Sequence, residues 1–382
     1  MKFRTSCAIT LLLFVASTAC ASALPQRTDS WPLWENYKRR FVAHEGRVID
    51  WHSNGCTTSE GQAYALFFAL VANDPSTFKN ILDWTQANLA QGSLRVQLPA
   101  WRWEQDSGLG GGVTDLNSAS DADLWIAYVL ISAGRAWKVP EYTSLGRRLA
   151  DRIAQEEVVI LPSGGPMLLP GRKGFQVDSQ TSVVNPSYLV PQLLFGLSAE
   201  MPQGPWGTIA GNLPAMLSKE VGNGFAMDWV SYQATTGYSP AVGTGSESGG
   251  SYDAIRVYLW AGMLDPQSLE YNDLLRSLSG MEQYMRNHPI PPERVAPNGR
   301  IISDQSPVGF SAAVTPFLLA SGNTRGAAEQ QARLKRELSA VTGLYGKEPR
   351  YYDQNLALFA EGWADGRFRF DSSGRLQLQW RK

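Results

Sequence analysis

Along this chain, segments that are apolar on every side alternate with segments that are apolar on one side only. Six runs are of the first kind: 62–73, 124–135, 188–200, 255–265, 310–321 and 355–364. A run with no polar face reads as a buried helix. Between them lie six segments with helical periodicity and one polar face, at 31–42, 77–89, 142–153, 206–221, 269–285 and 325–341. These read as helices that cover the buried set. The early units are evenly spaced: Glu60 to Asp121 is 61 residues, Asp121 to Ser187 is 66, and Ser187 to Asp253 is 66. Identity between the units is negligible, so the repeat is structural. Six helices that need surrounding and six that can surround them predict an all-α ring, six inner helices wrapped by six outer ones. An α-solenoid also uses helix pairs, but its paired helices would look more alike. The stretches 158–170 and 367–380 alternate around turn residues and read as minor surface β-hairpins.

The first residues follow another pattern. Lys2 and Arg4 form a short basic region, Ala8 to Ala16 is apolar, and small residues run from Ser17 to Ala23. This is the form of a secretory signal peptide over residues 1–23, cut after Ala21 or Ala23, and it leaves 24–382 as a single domain. The apolar run is shorter than the ~20 residues a membrane span needs, and no later segment reaches that length without charge or Pro. No membrane span is expected, and the mature chain is expected in the periplasm or outside the cell. Ser17, three places before Cys20, argues against a lipoprotein acceptor. Cys7 and Cys20 leave with the leader, so Cys56 remains and no internal disulfide forms. A core of this size does not need one. Cys56 with His44, His52 and His288 has no thiol-protease context and reads as a buried, inert thiol.

Charge narrows the function further. Lys+Arg is 34 against Asp+Glu 35, a net charge of −1, which becomes −3 when Lys2 and Arg4 are removed. A chain with no basic excess does not coat nucleic acid. Hydrophobic residues at 43% and charged residues at 18% exclude intrinsic disorder. Thirteen Trp and fourteen Tyr are many for 382 residues. Core packing is their default use, and flat ligands are the other.

Acids recur just before the apolar runs: Glu60 before the first, Asp121 and Asp123 before the second, Asp253 before the fourth. If the inner helices are parallel, these starts line one mouth. Taken singly, each acid reads as a helix cap. Ser59 with Gln62 fits a capping box, and an acid in a first turn is favoured by the helix dipole. Three together at one end of a ring read as a site. A helix start favours the ionised carboxylate, whereas a general acid working near neutral pH needs a raised pKa. Burial or neighbouring acids must supply that rise. Trp101, Trp103, Tyr188 and Tyr252 cluster near the same loops, where indole and phenol faces suit sugar rings as well as a core; Asn185 precedes Tyr188 at a start with no acid. Other chemistries find no support: there is no P-loop, no GxGxxG after a strand, no GxSxG and no HExxH. The acid-rich run 115–123 lacks the Gly and terminal Glu of a calcium loop, so no metal is expected. Gly108 to Gly112 reads as a flexible turn.

The run from Ala119 to Trp137, ASDADLWIAYVLISAGRAW, resembles the signature of glycoside hydrolase family 8. TTSEGQAY at 57–64 and SYDAIRVY at 251–258 resemble its other two blocks. Further stretches at 41–50, 81–95, 168–171, 185–189, 307–313 and 366–370 resemble the endoglucanases of bacterial cellulose-synthesis operons. The resemblance spans essentially the whole mature chain. Val129 departs from it, standing where the signature usually has a small residue, which concerns packing. The resemblance implies an (α/α)6 barrel and hydrolysis of β-1,4-glucan, the chain of cellulose, with inversion. One carboxylic acid would protonate the leaving oxygen while a carboxylate activates water on the opposite face, the two standing roughly 6.5–9.5 Å apart. It implies Glu60 as proton donor and Asp253 as general base. Asp121 stands at a position described in the family as a nucleophile. An inverting route needs none, so positioning of the sugar is the expected role, with Asp123 structural. Arg256, one turn past Asp253, reads equally as holding its ionised form or as salt-bridging elsewhere, and Trp101, Trp103, Asn185, Tyr188, Tyr252 and Arg256 are expected to line the substrate path. No cofactor is implied. The implied setting is trimming of nascent cellulose beside the synthase and export machinery. Chitosan, xylan or mixed-linkage glucan would be alternative substrates on the same fold. A non-catalytic polysaccharide-binding protein would keep the aromatics and not the chemistry, and the intact Glu60, Asp121 and Asp253 argue against it.

Overall fold

The computed structural model describes residues 30–105, 110–241 and 248–380. The leader-like segment 1–23 lies outside them, as do residues 106–109 of the glycine-rich turn. In chain order the helices are α1 (Pro32–Phe41), α2 (Ser59–Val71), α3 (Pro75–Leu89), α4 (Ser120–Ala136), α5 (Pro140–Glu156), α6 (Pro191–Glu200), α7 (Trp206–Gly211), α8 (Leu213–Met216), α9 (Lys219–Gly222), α10 (Ala254–Met263), α11 (Tyr271–Ser277), α12 (Ser279–Asn287), α13 (Val308–Ala320), α14 (Thr324–Glu337) and α15 (Tyr351–Ala364). The apolar runs form α2, α4, α6, α10, α13 and α15. These pack side by side in that order, and rings of Phe67 and Phe68 against Phe359 join the last to the first. The outer helices cover them: α3 lies on α2, α5 on α4, α7 on α6, α11 on α10, α14 on α13 and α1 on α15. This is the (α/α)6 barrel. Among the described residues no helix is long and apolar enough to cross a membrane.

Two outer helices are broken where the sequence pattern predicts continuity. The segment 206–221 divides into α7, α8 and α9. Pro214 has no N–H to continue a helix through Asn212, and Asn223 in the left-handed region ends the last piece. The segment 269–285 divides at Leu278, because the N–H of Gly280 is diverted to the carbonyl of Gly224 at 2.8 Å. Both expected hairpins form, Val158–Leu161 with Gly165–Leu168 and Phe368–Phe370 with Leu376–Leu378. Two three-stranded sheets join segments far apart in the chain: Thr57–Thr58 with Arg102–Gln105 and Gly111–Asp115, and Thr181–Val184 with Val230–Gln233 and Gly237–Pro240. Gly111 and Gly112, expected in a turn, lie in a strand. A Cβ on Gly111 would sit 2.1 Å from the Trp103 ring, so glycine admits the indole.

The barrel axis is filled by rings from four inner helices. Tyr64 lies 5.9 Å from Trp125 and 5.0 Å from Phe359; Trp260 lies 5.6 Å from Trp125 and 5.1 Å from Phe359. The inner helices meet closely. A Cβ on Gly262 of α10 would stand 2.1 Å from the Phe317 nitrogen of α13. Backbone cannot move aside as a side-chain tip can, so Gly262→Ala is expected to cost about 1–3 kcal/mol and lower the thermal midpoint by several degrees.

Behind α4, Asp123 is fully buried and faces Glu157, which also accepts a hydrogen bond from the Ser118 hydroxyl. Burial first, and then the charge of Glu157, push Asp123 well above the usual carboxylate range; burial lifts Glu157 to about 8. The pair therefore holds a proton across neutral pH. A carboxyl whose folded pKa exceeds its unfolded value binds more protons folded than unfolded. Its stabilising effect is complete below the unfolded value of 4.5 and is lost as pH rises through about 8. Glu157→Gln keeps the shape without the ionisation. It is expected to flatten the fall of stability over that window by up to about 1.4 kcal/mol per pH unit in denaturant titrations.

Candidate active site

Four inner-helix starts converge on one guanidinium. Arg256 Nη1 donates to Glu60 Oε2 at 2.7 Å and Asp121 Oδ2 at 3.1 Å, and Nη2 donates to Asp253 Oδ1 at 2.6 Å. The Tyr64 hydroxyl lies 3.2 Å from Nη1, and Ser187 Oγ accepts from Nη2 at 3.0 Å. Glu60 is the second residue of α2, Asp121 the second of α4, Ser187 precedes α6 and Asp253 immediately precedes α10. The other two starts join the same end. The Gly309 N–H at the start of α13 donates to Asp353 in the first turn of α15, and the Tyr352 hydroxyl donates to the Tyr252 carbonyl. The inner helices are thus parallel, with all six starts at one mouth.

The capping explanation of the acids can be tested bond by bond. The cap of α2 is Thr58, whose hydroxyl accepts from the Gly61 N–H; Ser59 and Gln62 form no capping box. Gln62 is buried and instead accepts from the Val48 N–H and donates to Thr85. Asp253 makes no cap bond with its own helix. Asp121 accepts only from the adjacent Ala122 N–H and turns its other oxygen to Arg256. Glu60 and Asp253 leave the task of capping to neighbours.

Depth separates the three acids. Side-chain exposure is 19% for Glu60 and 30% for Asp253 but 2% for Asp121, so the first two face the mouth and the third lies beneath. One guanidinium cannot balance three carboxylates. Burial, and then the charge of Glu60, raise Asp121 to about 7 against the opposing pull of Arg256. Burial also keeps the phenols of Tyr64, Tyr188 and Tyr352 well above their ordinary range, hence neutral. The two short contacts to neighbouring nitrogens of one planar guanidinium hold Glu60 Oε2 and Asp253 Oδ1 side by side at the mouth.

The remaining residues divide between mouth and support. Trp101 is 37% exposed, and its carbonyl accepts from the Ser59 N–H, which sets it beside Glu60. Trp103 is wedged between the Trp84 ring at 5.5 Å and the Arg47 guanidinium at 4.3 Å, so it braces the strand more than it faces the mouth. Tyr188 lies under Arg256, its ring 5.5 Å from the guanidinium. Tyr252 is exposed, its ring edge-on to Phe310 and its hydroxyl bonded to Glu293. Asn185 lies behind the site. Its Oδ1 accepts from the Ser187 N–H and hydroxyl, so it orients the serine that receives Arg256, and it is itself buried. Cys56 is buried and free, as its context suggested.

Several contributors escaped sequence reasoning. Tyr64, Tyr352 and the hydroxyl of Ser187 belong to inner-helix starts and carried the signal of position alone. Trp229, stacked on Phe175 at 5.9 Å and 6.5 Å from Tyr188, and its neighbour Asp228 lie on a loop between elements, where no periodicity marks them.

A family model described as glycosyl hydrolases family 8 matches residues 1–366. An endoglucanase of Xanthomonas axonopodis pv. citri is 42% identical over 365 residues, covering 95% of this chain and 93% of its own. An endoglucanase of Escherichia coli K12 is 40% identical over 378 residues, covering 97% and 96%. The crystal structure of an endo-1,4-D-glucanase from Vibrio fischeri ES114 superposes with a TM-score of 0.84 at 37% identity, over 92% of this chain and 99% of that one. By family match, by identity over nearly the full length and by fold, the chain belongs to glycosyl hydrolases family 8.

Proposed function

We propose that this protein is an endo-β-1,4-glucanase that cleaves internal bonds of cellulose-type chains with inversion, with 24–382 acting as one catalytic domain. The observation that carries the reading is the partly exposed Glu60–Arg256–Asp253 bridge at the mouth of the barrel. The bridge sets two carboxyls on one guanidinium facing the mouth, where one can protonate the leaving oxygen and the other activate water, and membership of an inverting family supports inversion. Full-length relatives named endoglucanases support the substrate class.

Glu60 gives its proton to the leaving oxygen as the glycosidic bond breaks. Asp253 takes a proton from the water that attacks the anomeric carbon from the opposite face. Both changes occur in one displacement, and each carboxyl ends in the other's initial protonation state. Arg256 supplies fixed positive charge to both and sets their spacing. Asp121, beneath them, is placed to hold sugar hydroxyls at the cleavage point. Trp101 and Tyr252 offer exposed faces on which neighbouring sugars stack. The reaction needs two carboxyls and water, and no cofactor. Export to the periplasm or exterior is supported by the leader-like pattern of residues 1–23. A setting beside cellulose synthesis and export machinery is supported by the sequence blocks shared in character with endoglucanases of such operons.

Reducing-end release from carboxymethylcellulose tests this, with chitosan, xylan and mixed-linkage glucan in parallel. Glu60→Gln and Asp253→Asn are each expected to lower kcat about 10²–10⁴-fold with folding and polysaccharide binding kept. Release from another polymer alone would move the substrate. No release from any, with cellulose still bound, would leave a binding protein.

The ionisation of Asp121 gives a second test. Burial and the charge of Glu60 hold Asp121 at about 7. Placed to hold the sugar, it gains a charge as pH rises through that value, so kcat/KM is expected to change near pH 7. Asp121→Asn, which cannot ionise, is expected to lose that step, and an unchanged profile would show that Asp121 does not set it.

A further inference from the structure

The helix that carries the general base is capped by a different acid. Asp253 occupies the N-cap position of α10 in helical conformation, φ −77° and ψ −50°, and makes no cap bond. The N–H groups left open at that start go elsewhere. Those of Ser251, Asp253 and Ala254 donate to Asp228 Oδ1 at 2.8, 3.1 and 2.8 Å. An N-cap acid ordinarily folds its carboxylate onto the N–H groups two or three residues on, which here are bonded to the Ser251 and Asp253 carbonyls instead. A carboxylate so engaged is turned away from anything beyond the helix end.

Asp228 is held for this task. Its own N–H donates to the Gly249 carbonyl at 2.8 Å, so the two segments are tied in both directions. It directly precedes Trp229, stacked on Phe175, and the strand Val230–Gln233, which is paired on both sides. The partner segment is pinned as well: Gly250 and Val295 exchange backbone hydrogen bonds, and the Ser251 hydroxyl donates to the Glu293 carbonyl. Burial first, and then the charge of Asp253, raise Asp228 to about 6, so it remains mainly ionised at neutral pH. Three backbone donors on one ionised oxygen are charge-assisted bonds, stronger than neutral ones.

We propose that Asp228 is a positioning residue for the general base: by holding the N–H groups of Ser251, Asp253 and Ala254, it fixes the turn from which the Asp253 carboxylate faces Arg256 and the attacking water. The proposal rests on the glucanase reading for its kinetic consequence and on geometry alone for its structural one. Without Asp228, the N–H groups of Ser251, Asp253 and Ala254 lose their shared acceptor, and the turn that aims the Asp253 carboxylate at Arg256 loses its anchor.

The test is a double-mutant cycle with a crystal structure of one variant. Asp228→Ala is expected to lower kcat on carboxymethylcellulose about 100-fold with KM within about twofold, the scale of a misplaced reacting group. Asp228→Asn, which keeps an acceptor oxygen without the charge, is expected to lose only about tenfold, and it serves where the alanine variant does not fold. In an Asp253→Asn background, either substitution is expected to cost less than about twofold, because the group it positions is already gone. Equal losses in both backgrounds, a loss confined to KM, or wild-type kcat in folded Asp228→Ala would overturn the proposal. The crystal structure separates this failure from that of the glucanase reading. Asp253 displaced from Arg256 in the variant supports the positioning role even if wild type cleaves none of the polymers. Asp253 still on Arg256 refutes it even if wild type cleaves them all.

Discussion

A guanidinium buried at the axis of the barrel must be paid for by anions. Arg256 has a side chain only 3% exposed, and removing such a charge from water costs several kcal/mol unless partners surround it. Its partners come from separate inner helices: Glu60 and Tyr64 from α2, Asp121 from α4, Ser187 before α6 and Asp253 at α10 itself. All can reach one point only if their helix starts lie at one end. That is the geometry obtained when every inner helix is followed by an outer one that returns the chain. The electrostatic need of one arginine and the alternation of buried and amphipathic helices are therefore the same constraint met at two scales.

The floor beneath the cluster makes the charges count. Rings of Tyr64, Trp125, Trp260 and Phe359 close the barrel, and the Trp260 indole N–H donates to the Ser187 carbonyl at 3.0 Å, tying the floor to the serine that receives Arg256. In such surroundings charge interactions are screened less than in water, so three acids sharing one cation cannot all ionise freely. The deepest, Asp121, is displaced toward neutrality, to about 7.

How much of this was legible depended on whether a feature leaves a mark along the chain. Inner helices do, because a segment surrounded by protein is apolar on all sides; Gly61 to Val71 of α2 is buried without exception. The acids gathered at the mouth do as well, because Glu60, Asp121 and Asp253 recur at one position relative to those helices. Outer-helix continuity does so only in part: Pro214 marks one break in the sequence, but the break at Leu278 depends on the Gly280–Gly224 contact, a meeting of distant segments. Trp101 and Trp103 look alike in sequence, and only the packing of Trp84 and Arg47 against the second assigns it to bracing. Asp228 is least visible of all. Its partners are backbone N–H groups, which every residue but proline possesses, so no pairing of side chains announces it.

The acids of this site work in company because a helix start and a reactive carboxylate make competing demands. The open N–H groups of a first turn attract any nearby anion, and an anion that satisfies them is not available to water or sugar. At α2 the conflict is met by Thr58, which caps while Glu60 points to Arg256. At α10 it is met by Asp228 acting from a separate loop, which leaves Asp253 on the same guanidinium. At α4, Asp123 turns to Glu157 behind the helix while Asp121, two residues earlier, turns inward. Identical side chains in one short motif thus take opposite roles according to the direction the helix gives them. Position before an apolar run marks where acids gather, but hydrogen bonding at the helix start decides which of them are free to act.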